Sequence, residues 1–221
     1  MRDRAPDFRW RLAVVSVLCA SFAAGAAKPA RVAHFEPDTD AAAAAALQGS
    51  TWVGGGGTWK VWIKQLDDEE RLNFIERTTG LEIDPFAGRP DQPPAYHTVL
   101  LVLENQGSAG LSFNPQSCWL KTNRSEVLLP QGLADLSFNY RVTGRQLPVA
   151  YQAVQTALFE RAVSIAPGER VSGLLVYDRV KIKTKRWNLG LRLVLPDGER
   201  AVFNAPFRRT DLKKKRTGKG S

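Results

Sequence analysis

The sequence contains few of the residues from which compact metal centres and disulfide scaffolds are built. Its 221 residues include only two cysteines and two histidines, each isolated along the chain. Disulfide-stapled miniproteins and Cys/His zinc modules need clustered ligands, so both classes are excluded. Cys19 lies in an N-terminal segment that we expect to be cleaved, which leaves Cys118 as the single thiol. We predict that it is buried and inert, as most single cysteines are.

Excess basic charge is absent from most of the chain. The formal net charge is +9, from 31 basic and 22 acidic residues. Residues 208–221 carry seven of the basic residues against Asp211 alone, and residues 28–207 are almost neutral. A nucleic-acid-binding surface spread over the body is therefore not expected. The local basic run indicates an anionic lipid, an envelope polymer or an acidic protein as its partner.

Residues 1–27 have the pattern of a secretory signal peptide. Four arginines precede an uncharged apolar run from Leu12 to Ala24, and small residues follow up to Ala27. The run is shorter than the roughly 20 residues that a bilayer span needs. We therefore expect export to the periplasm or cell envelope, with residues 1–27 cleaved. A retained N-terminal anchor is the alternative.

Composition divides the remaining chain into a linker, one domain and a tail. Residues 28–57 contain six consecutive alanines and four consecutive glycines, which favour a flexible linker. An alternating strand pattern begins at Thr58, so the folded domain is expected over residues 58–207. Residues 208–221 hold Leu212 as their one apolar side chain, and we predict that they form a disordered basic tail.

Short apolar runs separated by Asn, Gly and Pro dominate the domain. The run Thr98–Leu103 is continuously apolar, which indicates a central strand covered on both faces. In residues 187–195 every second side chain is apolar, and a Pro-Asp-Gly turn leads to a return strand over residues 201–207. Short strands at close intervals predict a mainly β chain arranged as an antiparallel β-sandwich.

Two segments depart from the strand rhythm and predict short helices. Asp67 and Glu70 have the spacing of a capping box, and Gly80 provides a stop signal. A second helix is expected in residues 146–160, where apolar side chains recur at helical spacing. The predicted stripe consists of Leu147, Tyr151, Val154 and Leu158.

Four short motifs follow one another in a distinctive order. They are Val102–Asn105, Leu111–Phe113, Leu120–Asn123 and Pro167–Gly173. This order resembles the immunoglobulin-like domains of exported bacterial proteins, such as the family called DUF4352, over less than half of the chain. The resemblance implies an immunoglobulin-like sandwich, here with one or two short helices and flexible terminal segments. Such domains often act in adhesion or assembly, and the family pattern carries no catalytic residue across.

Patterns for catalysis and metal binding are all incomplete. His34 and His97 have no other ligand nearby in sequence, and both are expected to be solvated or locally hydrogen-bonded. The acidic run Asp67–Glu70 lacks calcium-loop spacing and is explained by a helix N-terminus. No Gly-x-Ser-x-Gly elbow occurs, and Gly54–Gly57 lacks the Lys-Ser/Thr of a phosphate loop. We predict no catalytic residue, no metal site and no cofactor.

Three groups of residues are candidate contact surfaces. The first is aromatic, with some members expected to fill the core: Trp52, Trp59 and Trp62. The second is a basic stripe on one strand face, or protection of a sheet edge: Lys181, Lys183 and Lys185. The third is the tail, which would contact anionic lipid or envelope polymer: Lys213, Lys214, Lys215, Arg216 and Lys219.

The leading hypothesis is an exported, non-enzymatic protein of the cell envelope that acts through contacts with an unidentified protein partner. Two alternatives belong to other classes. One is a glycan- or small-ligand-binding module that uses exposed tryptophans. The other is a hydrolase with an unrecognised acidic site, since carboxylates are numerous and their separations are invisible in a sequence.

Overall fold

The computed structural model describes residues 34–41, 46–87, 95–136 and 146–210. These residues form two antiparallel sheets and two α-helices, which confirms the predicted mainly β sandwich with short helices. Within these four ranges, no helix is long and apolar enough to cross a membrane. The predicted signal peptide over residues 1–27 lies outside the described residues.

Sheet A supplies one layer of the sandwich. With strands numbered in chain order, it contains β1 (Phe35–Pro37), β6 (Leu111–Phe113), β7 (Trp119–Thr122), β8 (Val127–Leu128), β9 (Val163–Ile165), β11 (Arg186–Val194) and β12 (Arg200–Arg209). The order across the sheet is β1-β12-β11-β6-β9, and β7 pairs with β11 and β8. The long β11–β12 hairpin is therefore the centre of sheet A.

Sheet B supplies the second layer. It contains β2 (Ala46–Gln48), β3 (Thr51–Gly56), β4 (Trp59–Gln65), β5 (Tyr96–Asn105) and β10 (Arg170–Asp178). The order across the sheet is β10-β5-β4-β3-β2, so β5 is an interior strand, as its apolar sequence predicts. Each of its neighbours pairs with it along most of its length.

The main core lies between the two sheets. The predicted alternation in β11 is confirmed, because Leu189, Leu191 and Leu193 are fully buried and point towards sheet B. Val61 and Ile63 of β4 meet them from the other layer, also fully buried. Period-two alternation thus places one face of each sheet in the core and leaves the other outside.

Two helices cover part of the outer face of sheet B. Helix α1 (Asp68–Thr79) begins with the predicted capping box of Asp67 and Glu70, and it ends at Gly80 in the left-handed region. Helix α2 (Gln146–Ala157) confirms the second predicted helix. Both pack on the outward side chains of β5 and β10 in a second apolar cluster.

The side of α2 that faces the sheet differs from the prediction. Val154 is buried and Leu158, just past the helix end, is buried with it, but Leu147 and Tyr151 are each 48% exposed. Alanine fills the remaining contact positions, at 150, 153 and 157. Small side chains allow the backbone of α2 to approach α1 closely, a role that a search for large apolar residues overlooks.

The predicted linker over residues 28–57 is wrong where the structure describes it. Strand β1 pairs with β12, and β3 pairs with β4, so both belong to the sandwich. Gly54 is an ordered strand residue, because a Cβ atom there would lie 1.9 Å from the ring of Phe203. The glycine run permits close packing between the sheets instead of flexibility.

The predicted start of the tail at residue 208 is also wrong. Arg208 and Arg209 are the last residues of β12, opposite Glu36 and Phe35 of β1. The backbone N–H of Arg209 also donates to the carbonyl of Lys185 at 2.8 Å. The aliphatic part of an arginine side chain can lie along a sheet while its charged group reaches water. Basic charge is therefore no sign that a strand has ended. The rest of the predicted tail, residues 211–221, lies outside the described residues.

Polar side chains are buried at the end of the sandwich where β5 begins and β10 ends. His97 is 7% exposed and packs edge-on against Phe35, so the expectation of a solvated histidine is wrong. Its Nε2 atom is buried without a hydrogen-bond partner. Burial, aided by the charge of Arg179, lowers the pKa of His97 to about 4.

The predicted burial of Cys118 is confirmed, and this burial raises the pKa of its thiol to about 12.

Candidate functional site

The structure separates the three tryptophans proposed as a contact surface. Trp52 and Trp59 are core residues, 1% and 8% exposed, so their prediction as surface residues is wrong. Their strands alternate, and both indoles occupy inward positions between the sheets. The indole nitrogen of Trp52 donates to the carbonyl of Pro206 at 2.8 Å, which ties sheet B to sheet A.

Trp62 lies on the outer face of sheet B but is itself covered. The ammonium of Lys60 is 4.9 Å from the ring centroid, and the guanidinium of Arg170 is 4.4 Å from it. These cation–π contacts leave the indole half-buried. Trp62 therefore serves as a support for two cations and does not offer an open stacking platform.

The three lysines proposed as a strand stripe lie in a loop. Strand β10 ends at Asp178 and β11 begins at Arg186, and all three side chains, Lys181, Lys183 and Lys185, are exposed between them. The backbone N–H of Thr184 donates to the carbonyl of Lys181, forming a turn at 2.8 Å. The turn breaks the period-two pattern, so the predicted strand face does not exist. The tail lysines lie outside the described residues.

Several bases lie together on the outer face of sheet A. We define the cationic face as the outward positions of β7, β11 and β12. Five of these positions carry a base and none a carboxylate: Lys121, Arg186, Arg192, Arg200 and Arg208. The helices pack on the outside of sheet B, so they leave this face uncovered.

A shallow groove of about 530 Å³ crosses the cationic face. Its floor is formed by outward residues of the central hairpin, including Asn188, Val202 and Asn204. One wall comes from Asp38 and the short 3₁₀ turn that follows β1. The other comes from β7, where Lys121 lies directly opposite Asn188 in the strand register.

A buried carboxylate stabilises one end of the groove. Arg186 and Arg208 face each other across the β11–β12 pair, an arrangement that repels. Asp38, 1% exposed, offsets this repulsion, with its oxygens 3.0 Å from Arg186 Nε and 3.7 Å from Arg208 Nη1. Arg208 also donates to Asp40 at 2.7 Å. Arg186 remains 62% exposed at its side chain, so most of its donors stay available to solvent.

Amide side chains make the centre of the groove polar. Asn188 donates from Nδ2 to Asn204 Oδ1 at 3.1 Å, which leaves Asn188 Oδ1 buried without a hydrogen-bond partner. Asn123 accepts from the backbone N–H groups of Lys185 and Arg186 through its Oδ1 atom, which fixes its side chain. The groove therefore presents oriented amides between cations, an arrangement able to hydrogen-bond a polar ligand.

A tryptophan that the sequence argument did not single out flattens the neighbouring part of the cationic face. Trp119 of β7 lies opposite Gly190, and a Cβ atom at that glycine would be 2.1 Å from the indole. The indole therefore lies across the backbone of β11, where only glycine leaves room. The guanidinium of Arg192 is 5.7 Å from the ring. Arg192 is thereby held beside Trp119 on the cationic face, outside the lining of the groove.

Among the residues that the structure describes, no group of three or more His, Cys, Asp or Glu side chains could hold a metal ion. The groove lining contains Asp38 as its carboxylate, and this group is already engaged by two arginines. The chemistry present in the groove is therefore that of hydrogen bonding and charge pairing.

Comparison with known proteins gives similarities of low extent. No family model matches the sequence, and no curated protein matches it. The crystal structure of the yjhA protein from Bacillus subtilis is similar with a TM-score of 0.36 and 15% identity, over 68% of this chain and 93% of that chain. A structural-genomics target, SoR45, gives a TM-score of 0.28 and 11% identity, over 70% and 85%. With TM-scores under 0.5, neither similarity supports a statement about function.

Proposed function

We propose that this chain is an exported, non-enzymatic β-sandwich module of the cell envelope that binds an acidic protein partner. The cationic face of sheet A is its contact surface. The observation that carries the proposal is the clustering of five bases, without a carboxylate, on the outward positions of three neighbouring strands. Residues 28–207 are almost neutral as a whole, so this clustering is a matter of placement and not of composition.

Electrostatics favours a binding role for such a face. Stability alone favours mixed charges, because like charges directly opposite on a sheet repel. The side of the molecule that carries α1 has the opposite character, since Asp67, Asp68 and Glu69 are exposed at the start of that helix. Separated charges of this kind orient a charged partner and accelerate its association.

Export and the immunoglobulin-like family remain part of the proposal. The signal-peptide pattern of residues 1–27 supports export, and the order of the four strand motifs supports a relation to the DUF4352 family. The sugar-binding alternative depended on exposed tryptophans. Of the three candidates, Trp52 and Trp59 are in the core and Trp62 is half-buried. No observation on the described residues favours it over protein binding.

A pull-down from the envelope fraction with charge-reversed protein tests the contact face. We expect the double variant Arg192→Glu/Arg200→Glu to lose the partners that the unmodified protein retains, because it places carboxylates where an acidic surface would dock. The matched control is Arg77→Glu/Arg170→Glu, which changes the net charge equally on α1 and sheet B. Equal retention by both double variants would contradict the proposal.

A further inference from the structure

The geometry points to an extended acidic segment of the partner, bearing Asp or Glu side chains, as the ligand of the groove on the cationic face. This inference rests on the proposed function and names the chemistry that the face recognises. The evidence comes from the spacing of the cations and from the amides between them.

The spacing of the bases fits a strand-like ligand. Arg186 and Lys121 line the groove on adjacent strands. Arg192 lies beyond the groove on the same face, six residues from Arg186 on β11 and about 20 Å away along an extended chain. Side chains that face one side of an extended peptide repeat about every 6.8 Å, so alternate carboxylates can meet bases at several points. A compact anion such as free phosphate would contact only one of these points.

The middle of the groove suits a peptide backbone. Asn188 donates from Nδ2 to Asn204 Oδ1 at 3.1 Å, which orients the exposed side chain of Asn204 in the groove. Asn204 uses its Oδ1 atom to accept from Asn188, so its amide N–H groups can donate to a carbonyl. Val202, 49% exposed, and the half-buried Pro206 add an apolar strip beside these amides.

The charges of the groove select for an acidic segment. At one end of the groove, Asp38 neutralises part of the positive charge of Arg186 and Arg208. Lys121 forms no ion pair within the described ranges. A carboxylate near Lys121 gains a charge-assisted hydrogen bond without displacing an internal partner.

Fluorescence anisotropy with the purified protein tests this ligand class. The probe is a fluorescein-labelled octapeptide of alternating Glu and Val, which spans about 27 Å when extended. We expect it to bind with an affinity that falls as salt is added. The same peptide with Gln in place of Glu should bind about tenfold more weakly or not at all. Equal binding of the two peptides would overturn the inference.

A matched pair of variants locates the binding site. Lys121→Glu should weaken binding of the Glu-Val peptide about tenfold or more, because it reverses a charge that faces the ligand. Arg77→Glu on α1 changes the net charge equally and should leave the affinity unchanged. Thermal unfolding of both variants shows that they are folded. Equal loss of affinity in the two variants would show that the peptide responds to the net charge of the protein and does not bind in the groove.

Two competing polyanions decide between classes of ligand. Alginate, a carboxylated polysaccharide, and vesicles containing phosphatidylglycerol are added to the complex of the Glu-Val peptide. The concentrations of the competitors are compared per negative charge. If either polyanion displaces the labelled peptide at a lower concentration than the unlabelled peptide does, a peptide is not the ligand. If the pull-down shows the Arg192/Arg200 effect and the peptides do not bind, the groove inference alone fails. If the pull-down shows no such effect, the proposed function fails first.

Discussion

Replacement of Arg71 by Met is expected to lower the free energy of unfolding by about 3–5 kcal/mol, since it removes one partner of a buried ion pair with Asp84. Arg71 is 2% exposed and donates to both oxygens of Asp84, at 2.9 and 2.5 Å, and to Asp68 at 2.8 Å. It also reaches Thr98 of β5 at 3.4 Å. One side chain therefore joins α1, the loop after it and sheet B.

The charge on Arg71 is maintained despite its burial. Desolvation disfavours the charged form, but hydrogen bonds and charge attraction from Asp84 and Asp68 outweigh this and raise the pKa of Arg71. The Asp84 side chain is 10% exposed, so its carboxylate is largely desolvated. Removal of the arginine takes away the attraction that offsets this desolvation free energy.

Urea denaturation with two further variants checks the explanation. Arg77→Met, on an exposed position of the same helix, should change stability by no more than about 0.5 kcal/mol. The double variant Arg71→Met/Asp84→Asn should recover part of the lost stability, because the Asp84 carboxylate that paired with Arg71 is replaced by a neutral amide. If Arg71→Met costs no more than Arg77→Met, the buried ion pair does not anchor the helix.

Acidification from pH 6.5 to pH 4 is expected to destabilise the protein by about 3 kcal/mol through His97 alone. The pKa of His97 is about 4 in the folded chain, against about 6.5 for an unfolded histidine. Above pH 6.5 both states are neutral, and the stability is fully present. As the pH falls below 6.5, only the unfolded state takes up a proton, so stability declines until the folded state is protonated near pH 4.

The variant His97→Leu isolates this contribution from the carboxylates that titrate in the same range. Urea denaturation of both proteins at several pH values gives the difference in unfolding free energy at each. Between pH 6.5 and pH 4 the unmodified protein should lose stability faster than the variant, by up to about 1.4 kcal/mol per pH unit. Parallel curves would show that His97 is protonated equally easily in both states.

Local sequence patterns predicted several elements of this fold. Alternation predicted β4, β11 and β12, and the Asp67–Glu70 spacing predicted the start of α1. They failed where glycine and alanine pack closely, as at Gly54 against Phe203 and along the buried side of α2. Composition treats such residues as flexible or featureless, and their role depends on a neighbour that is distant in sequence.

The candidate site was missed for a related reason. The alternation of Arg192 with buried leucines was visible, but which strands lie beside β11 was not. Asp38 meets Arg186 and Arg208 from a segment more than a hundred residues away, because β1 pairs with the end of β12. Only the strand order brings five scattered bases onto one face. The signals that stood out locally, the tryptophans and the lysine run, mark core packing and a turn.

Site-specific photo-cross-linking in the cells that make the protein tests the proposed contact face most directly. A photo-reactive amino acid is placed at Asn204, on the floor of the groove, or at Gln152, on the exposed side of α2. We predict a discrete protein adduct from position 204 that disappears when Arg192→Glu/Arg200→Glu is present, and none from position 152. An adduct from position 152 alone, or one from position 204 that survives the charge reversal, would contradict the cationic face as the binding surface.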